Sequence, residues 1–157
     1  MRDDLLVLSK AGPARQPVGF TAMIHLTIPG PPVGKQRAHV CKSGHAFTPA
    51  KTVNYEALVK QTFAAKYPDF VPMPGPVRMI LSIYIMPSKE TSRKLKKAGI
   101  GGVRPRPIIK PDISNVLKSI EDALNGLAYV DDKQIISVYA EKKYSLRPCV
   151  EIIVAEP

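Results

Sequence analysis

The chain is expected to fold as a single α+β domain, with a mixed or antiparallel sheet covered by about two helices. Two observations carry this. Apolar residues alternate at the period of a strand in residues 23–29 and 76–86, and recur at the period of a helix in 112–127. Hydrophobic residues make up 45% of the 157, which supports one sizeable core but not two ordinary domains. Along the chain the order reads strand, hairpin, helix, strand, basic loop, helix, strand, strand, with no internal repeat.

Residues 1–22 lack sustained periodicity and carry Pro13 and Pro17, so they read as a loosely ordered extension preceding a domain at 23–157. In 23–29, Ile24, Leu26 and Ile28 share one face of a strand that Pro29, Gly30, Pro31 and Pro32 stop. Ser43-Gly44 is a turn signal that would let 38–42 pair with 45–48. A helix starting at Thr48 or Pro49 places Val53, Ala57, Leu58 and Phe63 near a 3.6-residue period and ends by Pro68. Residues 76–86 put Val77, Met79, Leu81, Ile83 and Ile85 on one face, as a long central strand does. Residues 88–97 fit a short exposed helix. In 112–127 the apolar positions Ile113, Val116, Leu117, Ile120, Ala123, Leu124 and Leu127 define the clearest helix, with Asp112 suited to the N-cap and Asn125-Gly126 to the exit. Residues 134–142 and 148–154 read as two strands, and Arg147-Pro148 between them suggests an antiparallel hairpin.

Composition narrows the function. The apolar runs reach about five residues, far from the roughly 18 that span a bilayer. The opening MRDDLLVLSKAG is unlike a secretory signal. Two cysteines without a CxxC spacing exclude a disulfide scaffold and suit a reducing, cytoplasmic setting. The 23 Lys and Arg against 13 Asp and Glu leave a net charge of +10, which points to a polyanion: nucleic acid first, an anionic membrane surface second. Residues 87–110 concentrate that charge, with eight basic side chains against Glu90.

Five acids then fall within 112–132: Asp112, Glu121, Asp122, Asp131 and Asp132. Carboxylates beside a basic surface are what a Mg²⁺-dependent nuclease requires, because Mg²⁺ takes carboxylate, water and phosphate oxygens and activates water for attack. Each residue also has a plainer reading. Asp112 alone serves as an N-cap, Asp131-Asp132 as a turn, Asp122 as a solvated acid or the i+4 partner of Lys118, and Lys118 as a surface lysine. In the functional reading Lys118 holds the scissile phosphate. Lys35 and Arg37 after Gly34 are candidate phosphate contacts. His39, Cys41 and His45 lack the fourth ligand that zinc would need.

The stretch KPDISNVLKSIEDALNGLAYVDDKQI at 110–135 resembles the signature of the RusA-type Holliday-junction resolvases of bacteria and their phages, roughly K-P-D-x-D-N-x-x-K, D-A-L-N-G, an apolar pair, D-D and Q-[IV]. IPGPPVGKQR at 28–37 resembles the same family's opening strand and proline-rich loop, and FTPAKTVNYE and the final strands match in character, so the likeness covers 23–155. The resemblance implies a homodimeric endodeoxyribonuclease, dependent on Mg²⁺ or Mn²⁺, that nicks two opposed strands of a four-way junction in recombination and repair. It implies Asp112, Lys118 and Asp132 as catalytic residues and Asp112, Asp131 and Asp132 as metal ligands. Lys35, Arg37, Arg104, Arg106, Lys110, Lys142 and Lys143 form the expected basic DNA-binding set. One position departs: the family's second acid is Ser114 here, a neutral and poorer Mg²⁺ ligand that still stands in the candidate metal shell. The alternative reading is therefore a junction-binding protein with weak or no catalysis.

Overall fold

The computed structural model describes residues 23–98 and 106–157. The extension at 1–22 and Arg104 of the basic insert lie outside them.

A four-stranded sheet in the order β1-β6-β4-β5 forms the centre of the domain. β1 (Met23–Pro29) buries Ile24, Leu26 and Ile28 on one face and exposes the alternate residues, as its period-2 pattern dictates. β4 (Val77–Ile85) is interior, and all five of its inward residues, Val77, Met79, Leu81, Ile83 and Ile85, are buried. The small hairpin is shorter than expected, with β2 (His39–Val40) paired antiparallel to β3 (Ala46–Phe47). Gly44, with φ +83, makes its turn.

β5 (Ile135–Tyr144) and β6 (Cys149–Ala155) are both present, but they are not the expected hairpin. β6 runs antiparallel between β1 and β4, while β5 lies parallel to β4 on its other side. The linker 145–148 crosses the end of β4, where the Ser145 amide donates to the Ile85 carbonyl at 3.0 Å. Strands sit about 4.8 Å apart, so four residues can bridge two spacings. Placing β4 between them pairs both edges of the strand that buries five side chains. The parallel β4–β5 pair in turn demands a crossover, and the segment between them supplies it through two helices.

α1 (Ala50–Lys66) and α3 (Ile113–Leu124) pack side by side on one face of the sheet, and α2 (Lys89–Ala98) buries no side chain. α3 faces the core as its spacing predicts, with Val116, Ile120, Ala123 and Leu124 fully buried. α1 is rotated from the expected phase. Thr52, Tyr55, Val59 and Phe63 face inward, while Val53 is 48% exposed. Bringing the Tyr55 ring inside buries more apolar surface than Val53 and Ala57 would. Among the described residues no helix is long and apolar enough to cross a membrane.

The proline-rich loop after β1 is stitched to both packed helices. The Lys35 amide donates to the Asn115 carbonyl at 2.8 Å, and the Gln36 amide to Thr52 Oγ1 at 3.2 Å. Gly34 allows this approach: a Cβ there would lie 2.9 Å from Asn115 Cβ and 3.3 Å from Pro111 Cβ. Replacement by alanine must move the loop or the first turn of α3. Gly34→Ala should lower stability by about 1–3 kcal/mol in urea unfolding, as overpacked contacts do.

Candidate active site

Asp112 occupies the N-cap of α3 with extended backbone angles, and its carbonyl accepts from the Val116 amide at 3.1 Å. Its side chain does not cap the helix, contrary to the plainer sequence reading. Asp112 is exposed, and Oδ2 accepts a long bond from Asn115 Nδ2 at 3.4 Å. Because the carboxylate is exposed and accepts no backbone capping bond, it is open to a ligand.

Two depressions meet at this residue. One, of about 690 Å³, lies between the loop after β1 and the start of α3, and includes Lys35, Arg37, His39, Lys51, Lys110 and Asp112 in its wall. The other, of about 670 Å³, joins Asp112 and Ser114 to Leu117, Val138, Ala140 and Lys142. Lys142 Nζ donates to the carbonyls of Ile109 at 2.7 Å and Pro111 at 3.3 Å, so it anchors the segment that leads into α3. Lys143, the next residue of β5, lies on the other face of the strand from Lys142 and pairs there with Glu141. Arg106 is exposed in the segment leading to α3.

Lys118 sits among carboxylates. Its ammonium is 3.2 Å from Asp122 Oδ1, 3.4 Å from Asp132 Oδ2 and 4.0 Å from Glu121 Oε2. The Asp122 pairing expected at i+4 is present, and a second partner comes from the loop: Asp122 Oδ2 accepts from Lys35 Nζ. Lys35 also reaches Glu56 Oε1 of α1 at 3.2 Å. Four carboxylates thus share two ammonium groups drawn from the loop and α3. The hydrogen bond to Asp122 raises the pKa of Lys118 and, acting first in the same way, that of Lys35. Both stay cationic at neutral pH. Partial burial pushes the Asp122 carboxyl up, but the two lysines outweigh it and hold the group below its ordinary 3.8. Burial raises Glu121.

Asp131 has a different task. Its carboxylate accepts from the Lys133 amide at 3.0 Å, and its own amide donates to Gln134 Oε1 at 2.8 Å, which closes a capping box on the short 3₁₀ turn Asp132–Gln134. Gln134 Nε2 then donates to the Met73 and Gly75 carbonyls at 2.8 and 2.6 Å. This clamp fixes where Asp132 projects. The backbone bond to Lys133 is the largest cause that lowers the Asp131 pKa.

Among the described residues no three His, Cys, Asp or Glu side chains form a group able to hold a metal ion, so Asp112, Asp131 and Asp132 are not gathered in one shell here. A Mg²⁺ site needs less, since one or two carboxylates with waters and substrate phosphates suffice. The open carboxylate of Asp112 beside a basic depression fits that requirement.

The sequence reading singled out neither Glu56, Lys51, Asn115 nor the bridging part played by Asp122. One signal was available: no acid occurs between Asp4 and Glu56, so any acidic partner of Lys35 lies at least 21 positions away.

A mixed-sheet domain with exposed acids at the edge of a basic depression suits a protein that handles nucleic-acid phosphates. The family model described as Endodeoxyribonuclease RusA matches residues 29–155. A Bacillus subtilis (strain 168) protein, described as "Uncharacterized protein YqaN", is 34% identical over 138 residues, covering 85% of this chain and 96% of that protein. The chain belongs to the RusA endodeoxyribonuclease family.

The Asp122 bridge has a pH signature. A carboxyl held below its ordinary 3.8 stabilises the fold above that value, and the contribution is lost as pH falls through the lower folded value. Asp122→Asn should therefore lower the thermal midpoint at pH 7, and the gap to wild type should close in acid below the folded value. A gap that persists unchanged to pH 2 would contradict the bridge.

Proposed function

We propose that this protein is a Mg²⁺-dependent structure-specific endonuclease that resolves four-way DNA junctions in recombination and repair, acting as a homodimer in the cytoplasm. Family membership supports the endonuclease and the junction substrate. The observation that carries the reading in this chain is the depression whose wall holds Arg37, Lys51 and Lys110 and which also includes the open carboxylate of Asp112. Cations along such a groove suit a DNA backbone, and a carboxylate beside them suits cleavage of a phosphodiester. A junction offers two opposed strands, and a two-fold dimer would present one site to each.

Asp112 would hold the metal, with Asp132 as the second carboxylate and Asp131 supporting it through the cap on its turn. An ion held there would supply a water of lowered pKa and polarise the phosphate. Lys118, kept protonated by Asp122, acts as a fixed cation for the scissile phosphate and for charge that develops during in-line attack; as an ammonium it has no lone pair to take the proton of the attacking water. Arg37, Lys110 and Lys51 hold the flanking backbone. Arg104, Arg106 and Lys142 extend the basic set around Asp112, with Lys142 acting through the loop carbonyls that it anchors. Lys143 is a candidate for a second DNA arm. Lys35 acts mainly by locking the loop against α3.

Ser114 favours a second reading, a junction binder that cleaves weakly. It shares a depression with Asp112, where the family signature has another carboxylate.

These readings separate on a synthetic four-way junction. Wild type with Mg²⁺ should give paired symmetrical nicks that EDTA abolishes, and Asp112→Asn or Lys118→Ala should slow nicking by about 100-fold or more. Retention of the junction without product would instead support the binder. If Ser114 borders the metal, Ser114→Asp should raise the rate or lower the Mg²⁺ requirement. Removing the positive charge of Lys51 or Lys110 should reduce the slope of log affinity against log salt by about 1.

A further inference from the structure

The β2–β3 hairpin presents its aromatic side chains to solvent. Every residue from 36 to 48 is exposed. His39 and Phe47 are cross-strand partners with ring centroids 5.7 Å apart and an interplanar angle of 29°, and Phe47 remains 51% exposed. His39 also lines the basic depression that contains Arg37, Lys51 and Asp112. The stretch 30–55 holds Lys35, Arg37, Lys42 and Lys51 and no acid. A stacked, solvent-facing aromatic pair thus stands at the lip of a cationic groove.

We propose that the His39–Phe47 pair is a stacking platform for nucleobases left unpaired or opened at a DNA branch point, and that it provides selectivity for branched over linear DNA. The proposal rests on the junction reading above and names the substrate feature which that site recognises. In an intact duplex each base face is covered by its neighbours, so an aromatic platform gains nothing there. Where strands exchange, base faces are open, and an aromatic side chain can stack on any of them without reading sequence. The surrounding cations attract linear and branched DNA alike and cannot make this distinction. Cross-strand pairing within the hairpin explains why the rings meet. It does not require Phe47 to stay half exposed beside the groove.

The test uses the whole chain in EDTA, so that no cleavage occurs. A four-way junction carrying 2-aminopurine next to the crossover is compared with a linear duplex of the same sequence, and affinity and 2-aminopurine fluorescence are read together. Phe47→Ala should bind the junction about 10-fold more weakly with unchanged duplex affinity, and should lose the fluorescence change. Phe47→Leu, which keeps apolar bulk and the hairpin without a π face, should behave like Phe47→Ala, and Phe47→Trp should restore both readouts. Wild-type junction preference retained by Phe47→Leu, or equal weakening on both DNAs, overturns the platform and leaves the resolvase reading standing. A wild type that binds duplex as tightly as junction overturns the resolvase reading itself, and the platform with it.

Discussion

The carboxylate of Asp122 divides its two oxygens between lysines from separate parts of the chain. Oδ1 faces Lys118, one turn back on α3, and Oδ2 faces Lys35, which arrives from the loop after β1 and also touches Glu56 on α1. Isolated exposed pairs contribute little to stability. Here the acid is only a quarter exposed and the partners form a network. Removing the shared carboxylate would leave Lys35 with Glu56 and Lys118 with Asp132 and Glu121, and would break the one ionic link between the loop and α3 in this network. The positions of the loop, α1 and α3 relative to one another therefore depend on this group, and the wall of the basic groove depends on them.

The same network divides a strongly basic protein into two electrostatic zones. Acids collect around Lys118 along the latter half of α3 and the 131–132 turn, while the stretch from 30 to 55 and the residues before α3 present cations with few acids among them. Polyanion binding and phosphodiester chemistry make opposite demands on charge. The first needs an open basic surface, and the second needs negative oxygens that the surface does not neutralise. Asp112 stands where the zones meet. Its carboxylate is not used to cap its own helix, a job that side chains at this position often perform.

Ser114 stands where the RusA-type signature that 110–135 resembles carries a second acid. A neutral hydroxyl lowers the negative charge next to Asp112 and leaves the depression shared with Leu117, Val138 and Ala140 more apolar than a second carboxylate would. Lys142, on the far wall, is already held by two backbone carbonyls and gives rigidity to the same depression. The local charge near Asp112 is thus less negative than a second carboxylate would make it.

Local periodicity made most elements legible. β1, β4 and α3 stand where alternation and 3.6-residue spacing put them, because a residue's burial in a strand or helix is decided by its own phase. The family likeness was legible too, since 110–135 carries a long run of spaced identities. Pairing was not legible: nothing in 134–154 says that β4 separates β5 from β6, because strand order is set by which edge buries the most apolar surface. The phase of α1 was not legible for a related reason, as Tyr55 and Thr52 turn inward in place of Val53 only once α3 and the sheet exist to receive them. By itself the sequence determined the basic charge, the element types, the acids available for chemistry and the hydroxyl at 114. Only the tertiary structure decided that Lys35 belongs to Asp122 from 87 positions away, that Asp131 caps a turn, and that Asp112 is left open, since Coulombic and hydrogen-bond partners are chosen by distance in space and not along the chain.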